Sequence, residues 1–65
     1  PDKVQLHYCS GLVNLRAKGD LAGARRDFSA FLRDQRSFAY PEERRRAVQL
    51  LEEAESGLDS PSHEP

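Results

Sequence analysis

The imidazole and thiol groups that a structural transition-metal site favours number three in this sequence: His7, Cys9 and His63. A structural zinc site takes four such ligands. His7 and Cys9 stand two apart, so on a helix they point in different directions, whereas paired ligands on one helix sit at i and i+4. The same geometry denies Cys9 a histidine base for nucleophilic attack. Ser10 and Ser29 have no candidate base held in place by a third group. A general acid wants a carboxyl group raised by burial, and no Asp or Glu here interrupts an apolar stripe. The glycines, Gly11, Gly19, Gly23 and Gly57, are scattered, and none opens into the Lys-Ser/Thr pair of a phosphate loop. These residues predict no enzyme, no metal and no cofactor. Cys9 reads as a small core residue and His7 as a solvated one.

The densest charge is Arg44-Arg45-Arg46, with Arg25-Arg26 as a second basic pair. Consecutive helical residues fan around the axis, so at most two of the three share a face. Glu42, Glu43, Glu52 and Glu53 neutralise the neighbourhood, and the run reads as a solvated face. Ten Lys and Arg against eleven Asp and Glu leave a net charge of −1 over 65 residues. A balance so near zero argues against long-range attraction to polyanions, so no nucleic acid partner is expected. No apolar run approaches the roughly 18 residues of a membrane span. One cysteine makes no intrachain disulfide and weakly favours a reducing, cytoplasmic setting. A chain that opens on Pro1 is expected to be a processed product or a piece of a longer one.

With no chemistry to position, the elements themselves become the signal. Val4, Tyr8, Leu12 and Leu15 recur at spacings of four, four and three, which predicts a helix over 3–18. Cys9 and Val13 widen that apolar face. Asp2 is the expected N-cap, and Gly19 the expected left-handed residue after the last turn. Asp20 then caps a second helix reaching to about Gln35, striped by Leu21, Ala24, Phe28, Phe31 and Leu32. A connection as short as Gly19-Asp20 forces the two helices to be antiparallel neighbours. Gly11, Ala17, Ala24 and Ala30 are small enough for close backbone approach, and the same packing accounts for Gly23 early in the second helix.

Residues 36–40 form the next connection, with Phe38 and Tyr40 expected to plug the apolar end of the fold. Pro41 opens a third helix with Glu42 and Glu43 in its first turn. Ala47, Leu50, Leu51 and Ala54 stripe it, and Gly57 is its expected cap. Residues 59–65 are polar and proline-rich and read as a disordered tail. The expected fold is therefore all-α: one domain over 1–58, a helical hairpin plus a third helix.

The hairpin resembles a tetratricopeptide repeat (TPR), a helix–turn–helix unit of about 34 residues. Gly19, Ala24 and Phe28 keep the spacing of that family's turn glycine, alanine and following aromatic. Tyr8 stands where the family's opening aromatic stands. The match covers about residues 5–38. It departs from the pattern at Leu12 and Phe31, where the family has small residues, and at Arg36, where the family has a closing proline. A second likeness joins Glu53-Ala54-Glu55 to the run that ends the third helix of microtubule-interacting-and-trafficking domains.

The TPR resemblance implies a non-catalytic protein–protein interaction module, a scaffold or adaptor. One repeat does not bury both its faces, so the third helix would act as a cap. It also implies that the first helix lines the binding face, which places Leu6, Cys9, Val13, Asn14 and Arg16 there. Some family members clamp a carboxylate at such positions with Lys and Asn; Cys9 and Val13 in those places imply apolar contact instead, with Arg16 at the edge. The alternative is that the same apolar residues pack on another repeat or a second copy. Two other functions stay open: a structural or regulatory subdomain packed on a larger enzyme, and a small nucleic-acid-binding helical domain.

Overall fold

The computed structural model describes residues 3–59. The expected Asp2 cap and the tail beyond Asp59 lie outside the described residues. The chain is an all-α arrangement of three helices, and no strand occurs among the described residues. α1 spans Lys3–Leu12 and runs on without a break into a π-helical segment, Val13–Lys18. α2 spans Leu21–Arg33, a 3₁₀ turn covers Gln35–Ala39, and α3 spans Pro41–Asp59.

The helix ends follow from local chemistry. Gly19 has φ 66, the left-handed conformation expected of it, and its N–H donates to the Asn14 carbonyl. The Asp20 N–H donates to that same carbonyl at 2.7 Å. The Asp20 carboxylate in turn accepts the Gly23 N–H at 2.9 Å, which satisfies one orphan donor at the start of α2. Gly23 is small for this reason: a Cβ there would lie 2.4 Å from Asp20 Oδ2. Pro41 opens α3 as expected, and the Tyr40 carbonyl accepts the Arg44 N–H at 2.9 Å.

Side-chain pairs fix the packing. Tyr8 meets Phe31 and Phe28, with ring centroids 5.4 and 6.0 Å apart, while Gly11 faces Phe28 and Asn14 faces Asp27. One set of numbers falls as the other rises, so α1 and α2 are antiparallel. Arg44 near Leu32 and Gly57 against Leu21 say the same of α2 and α3. α2 packs on both other helices, which barely touch each other.

The core is Val4, Ala24, Phe28, Phe31, Ala47, Leu50 and Ala54. Tyr8, Leu12, Leu15, Leu21, Leu32, Tyr40 and Leu51 pack around it, half-buried. The three stripes read from spacing thus supply nearly all of the interior. Four expectations need correction. Cys9 is exposed and Val13 is 48% exposed, so neither widens the buried face of α1. Gly57 lies inside α3 and does not end it; the helix runs on to Asp59, which therefore belongs to no tail. Phe38 is 67% exposed and plugs nothing, because the 3₁₀ turn aims Ser37 inward in its place. α2 stops at Arg33, before Gln35, because Asp34 takes an extended conformation.

Two glycine substitutions separate packing from backbone strain. A Cβ on Gly11 would stand 2.8 Å from the Phe28 ring, so Gly11→Ala is expected to destabilise by about 1–3 kcal/mol through overpacking. Gly19→Ala meets open space and strains only the backbone, at about 1 kcal/mol. Urea unfolding of both, alone and with Phe28→Leu, checks the difference. The smaller ring-free side chain should relieve part of the Gly11→Ala defect and none of the other.

Candidate functional site

The structure divides the five expected surface residues into three places. Leu6, Cys9 and Val13 stand at i, i+3 and i+7 on the outward side of α1 and its continuation, all exposed, with Leu6 at 56%. Asn14 is not with them. Its side-chain amide turns to α2 and donates to Asp27 Oδ2 at 2.8 Å, where it braces the hairpin. Arg16 turns the other way, toward α3.

Arg16 reaches a groove that opens between α1 and α3 above the core. The groove has a volume of about 350 Å³ and is lined by Tyr8, Leu12 and Arg16 on one side and Arg46, Gln49 and Leu50 on the other. Its floor is apolar, from Leu12 and Leu50. Its walls carry two guanidinium groups, a phenol and an amide. No carboxylate lines it. Neither Arg16 nor Arg46 has an ion-pair partner among the described residues.

The π-helical segment places Arg16 there. In a continuous α-helix each step of four precesses by about 40°, so Arg16 would stand about 80° round from Tyr8. A π turn takes more residues, which takes back that precession and returns Arg16 to the line of Tyr8 and Leu12. In an α-helical reading the spacing of four from Tyr8 through Leu12 to Arg16 carries Arg16 away from Tyr8, and only the π winding brings it back.

Of the three consecutive arginines, Arg45 and Arg46 are exposed as the solvated-face reading expects, and Arg44 corrects it. Arg45 is exposed, and Arg46 lines the groove. Arg44 is half-buried and joins α3 to the end of α2. Its Nη1 donates to the Leu32 carbonyl at 3.0 Å and to the hydroxyl of the fully buried Ser37. Its guanidinium also lies over the Phe38 ring, 4.1 Å from the centroid, which gives that exposed aromatic its contact. Sequence reasoning missed Arg44 because its partners lie in the connection and on another helix.

Asp34 was missed as well. Its carboxylate accepts the Arg36 side chain through two hydrogen bonds, at 3.1 and 2.7 Å, and the Arg36 backbone N–H at 2.9 Å. Those bonds to Arg36, the side-chain ones first, lower its pKa from 3.8 to about 2. The carboxylate thus caps the 3₁₀ turn while its own N–H closes α2 on the Ala30 and Phe31 carbonyls.

Among the described residues no three His, Cys, Asp or Glu side chains gather into a metal site, and no helix is long and apolar enough to cross a membrane. No protein-family model, curated protein or solved structure matches this chain.

Arg44→Ala leaves the buried Ser37 hydroxyl and the Leu32 carbonyl without their donor. It is expected to destabilise by about 1–3 kcal/mol in thermal unfolding. Arg44→Lys should recover little, since one ammonium does not reproduce the planar stack and the donor fork together. The pH dependence has a fixed sign. Asp34 has a lowered pKa in the fold, so its contribution is complete above 3.8 and is lost as pH falls toward 2. Asp34→Asn should flatten that part of the acid limb, and high salt should shrink it for the wild type.

Proposed function

We propose that this chain is a non-catalytic protein-interaction module of TPR type: a helical hairpin and a capping helix that recruit a partner protein. The observation that carries the reading is the outward side of α1 and its continuation, where Leu6, Cys9 and Val13 stay exposed while the interior is already filled. Leu6 and Val13, two turns apart with the exposed Cys9 between them, offer a partner an apolar strip along one side of the helix. The hairpin turn at Gly19-Asp20, the Tyr8–Phe28 contact and the backing of both outer helices by α2 support the TPR likeness.

An exposed free thiol at Cys9 suits a reducing compartment, which favours the cytoplasm. Nucleic-acid binding is disfavoured, since Arg44 is engaged internally and Arg25 and Arg26 lie on α2, which forms no part of the groove.

A photo-crosslinking amino acid at position 13, in the protein expressed in its own cells, tests the reading. A discrete adduct is expected from position 13 and none from position 52, an exposed glutamate on α3. An adduct to a second copy would identify the partner as self. An adduct within one polypeptide would make the chain a structural subdomain of a larger protein, and silence at both positions would sink both interpretations.

A further inference from the structure

We infer that the groove between α1 and α3 takes a short acidic segment of a partner protein, with an aliphatic side chain seated between the carboxylates. This deepens the protein-interaction reading and rests on it. The inference starts from charge. Arg16 and Arg46 both line the groove, one from the continuation of α1 and one from α3, with no carboxylate in the lining and no ion-pair partner among the described residues. Guanidinium groups bind carboxylates through paired N–H donors, and Gln49 adds an amide donor beside them.

The floor restricts the ligand further. Leu12 and Leu50 lie between the two cations, with the Tyr8 ring beside them. A purely polar anion would leave that apolar surface uncovered, whereas a leucine-like side chain flanked by acids covers it.

The length of the segment is bounded as well. Glu42 lies one turn before Arg46 and Glu53 one turn after Gln49, on the same helical row, and both are exposed. These carboxylates close the positive stretch at both ends, about 16 Å apart along α3. A long polyanion such as nucleic acid would run over them. A few residues of acidic peptide fit between them.

The experiment uses this chain and fluorescein-labelled peptides read by fluorescence anisotropy. One peptide alternates glutamate and leucine, the second has serine for leucine, and the third has lysine for glutamate. Single-stranded DNA of similar charge is the fourth probe. Saturable binding is expected for the glutamate–leucine peptide alone, weakened about tenfold or more by Arg16→Gln with Arg46→Gln. Raising salt from about 50 to 500 mM should weaken it further. Arg25→Gln with Arg26→Gln should leave it unchanged. All four sites are exposed, and circular dichroism melting verifies that each variant is folded.

Equal binding of the serine peptide or of DNA would overturn the inference in favour of an unspecific cationic surface. Equal weakening by the Arg25 and Arg26 pair, or no saturable binding at all, would also overturn it. If the peptide fails while the position-13 adduct forms, the groove assignment falls and the interaction reading stands on the apolar side of α1. Failure of both removes both.

Discussion

The contact between Gly11 and the ring of Phe28 is the constraint on which the rest of the molecule depends. Phe28 is fully buried, and the ring sits where any side chain on residue 11 would have to go. The absence of a Cβ lets the backbone of α1 come down onto α2. Tyr8, one turn earlier, then reaches both Phe28 and Phe31 in tilted, edge-type contacts. With α1 held at that distance and that rotation, the hydrogen bond between Asn14 and Asp27 closes the hairpin near its turn. A domain of this size buries only about 60% of its unfolded surface, so it has little other packing to compensate for a poor fit here.

The second face of α2 is joined differently. Ala47, Leu50 and Ala54 lie close to α2 because two of the three are small. The far end is then fastened by polar groups, with Arg44 serving the Leu32 carbonyl and the Ser37 hydroxyl. Asp34 shapes the connection between those groups by capping the 3₁₀ turn and closing α2 with its own backbone. α2 is therefore backed on one side by aromatic packing and on the other by a small-residue seam with a polar fastening. The two outer helices have almost no contact with each other, and the groove is the space left between them. Its walls are positioned indirectly, by how each outer helix meets α2.

Much of this was legible in the residues. Helical periodicity located all three apolar stripes, and Gly19, Asp20 and Pro41 marked helix ends because each acts through its own backbone or its nearest N–H groups. The surface set was legible only in part. Leu6, Cys9, Val13, Asn14 and Arg16 lie on one helix, and spacing alone places them on neighbouring faces. It does not say that Asn14 finds a partner thirteen residues away, or that Arg16 turns toward α3. Cys9 and Val13 looked like core for the same reason: their spacing suits a broad apolar face, and only the arrangement of α2 and α3 shows that nothing covers it.

Sequence by itself thus determined what is local: helix content, the helix ends at Gly19, Asp20 and Pro41, the turn that makes the hairpin, and the close approach at Gly11. These follow from interactions within about one turn of chain, where the order of residues fixes which groups meet. Tertiary structure decided the rest. It turned the last six residues before Gly19 into a π-helical segment, which returned Arg16 to the line of Tyr8 and Leu12. It separated Arg44, Arg45 and Arg46 into an internal fastening, a solvated side chain and a groove wall. Such assignments depend on what another helix presents at that height and rotation, and no pattern along a single helix contains that information.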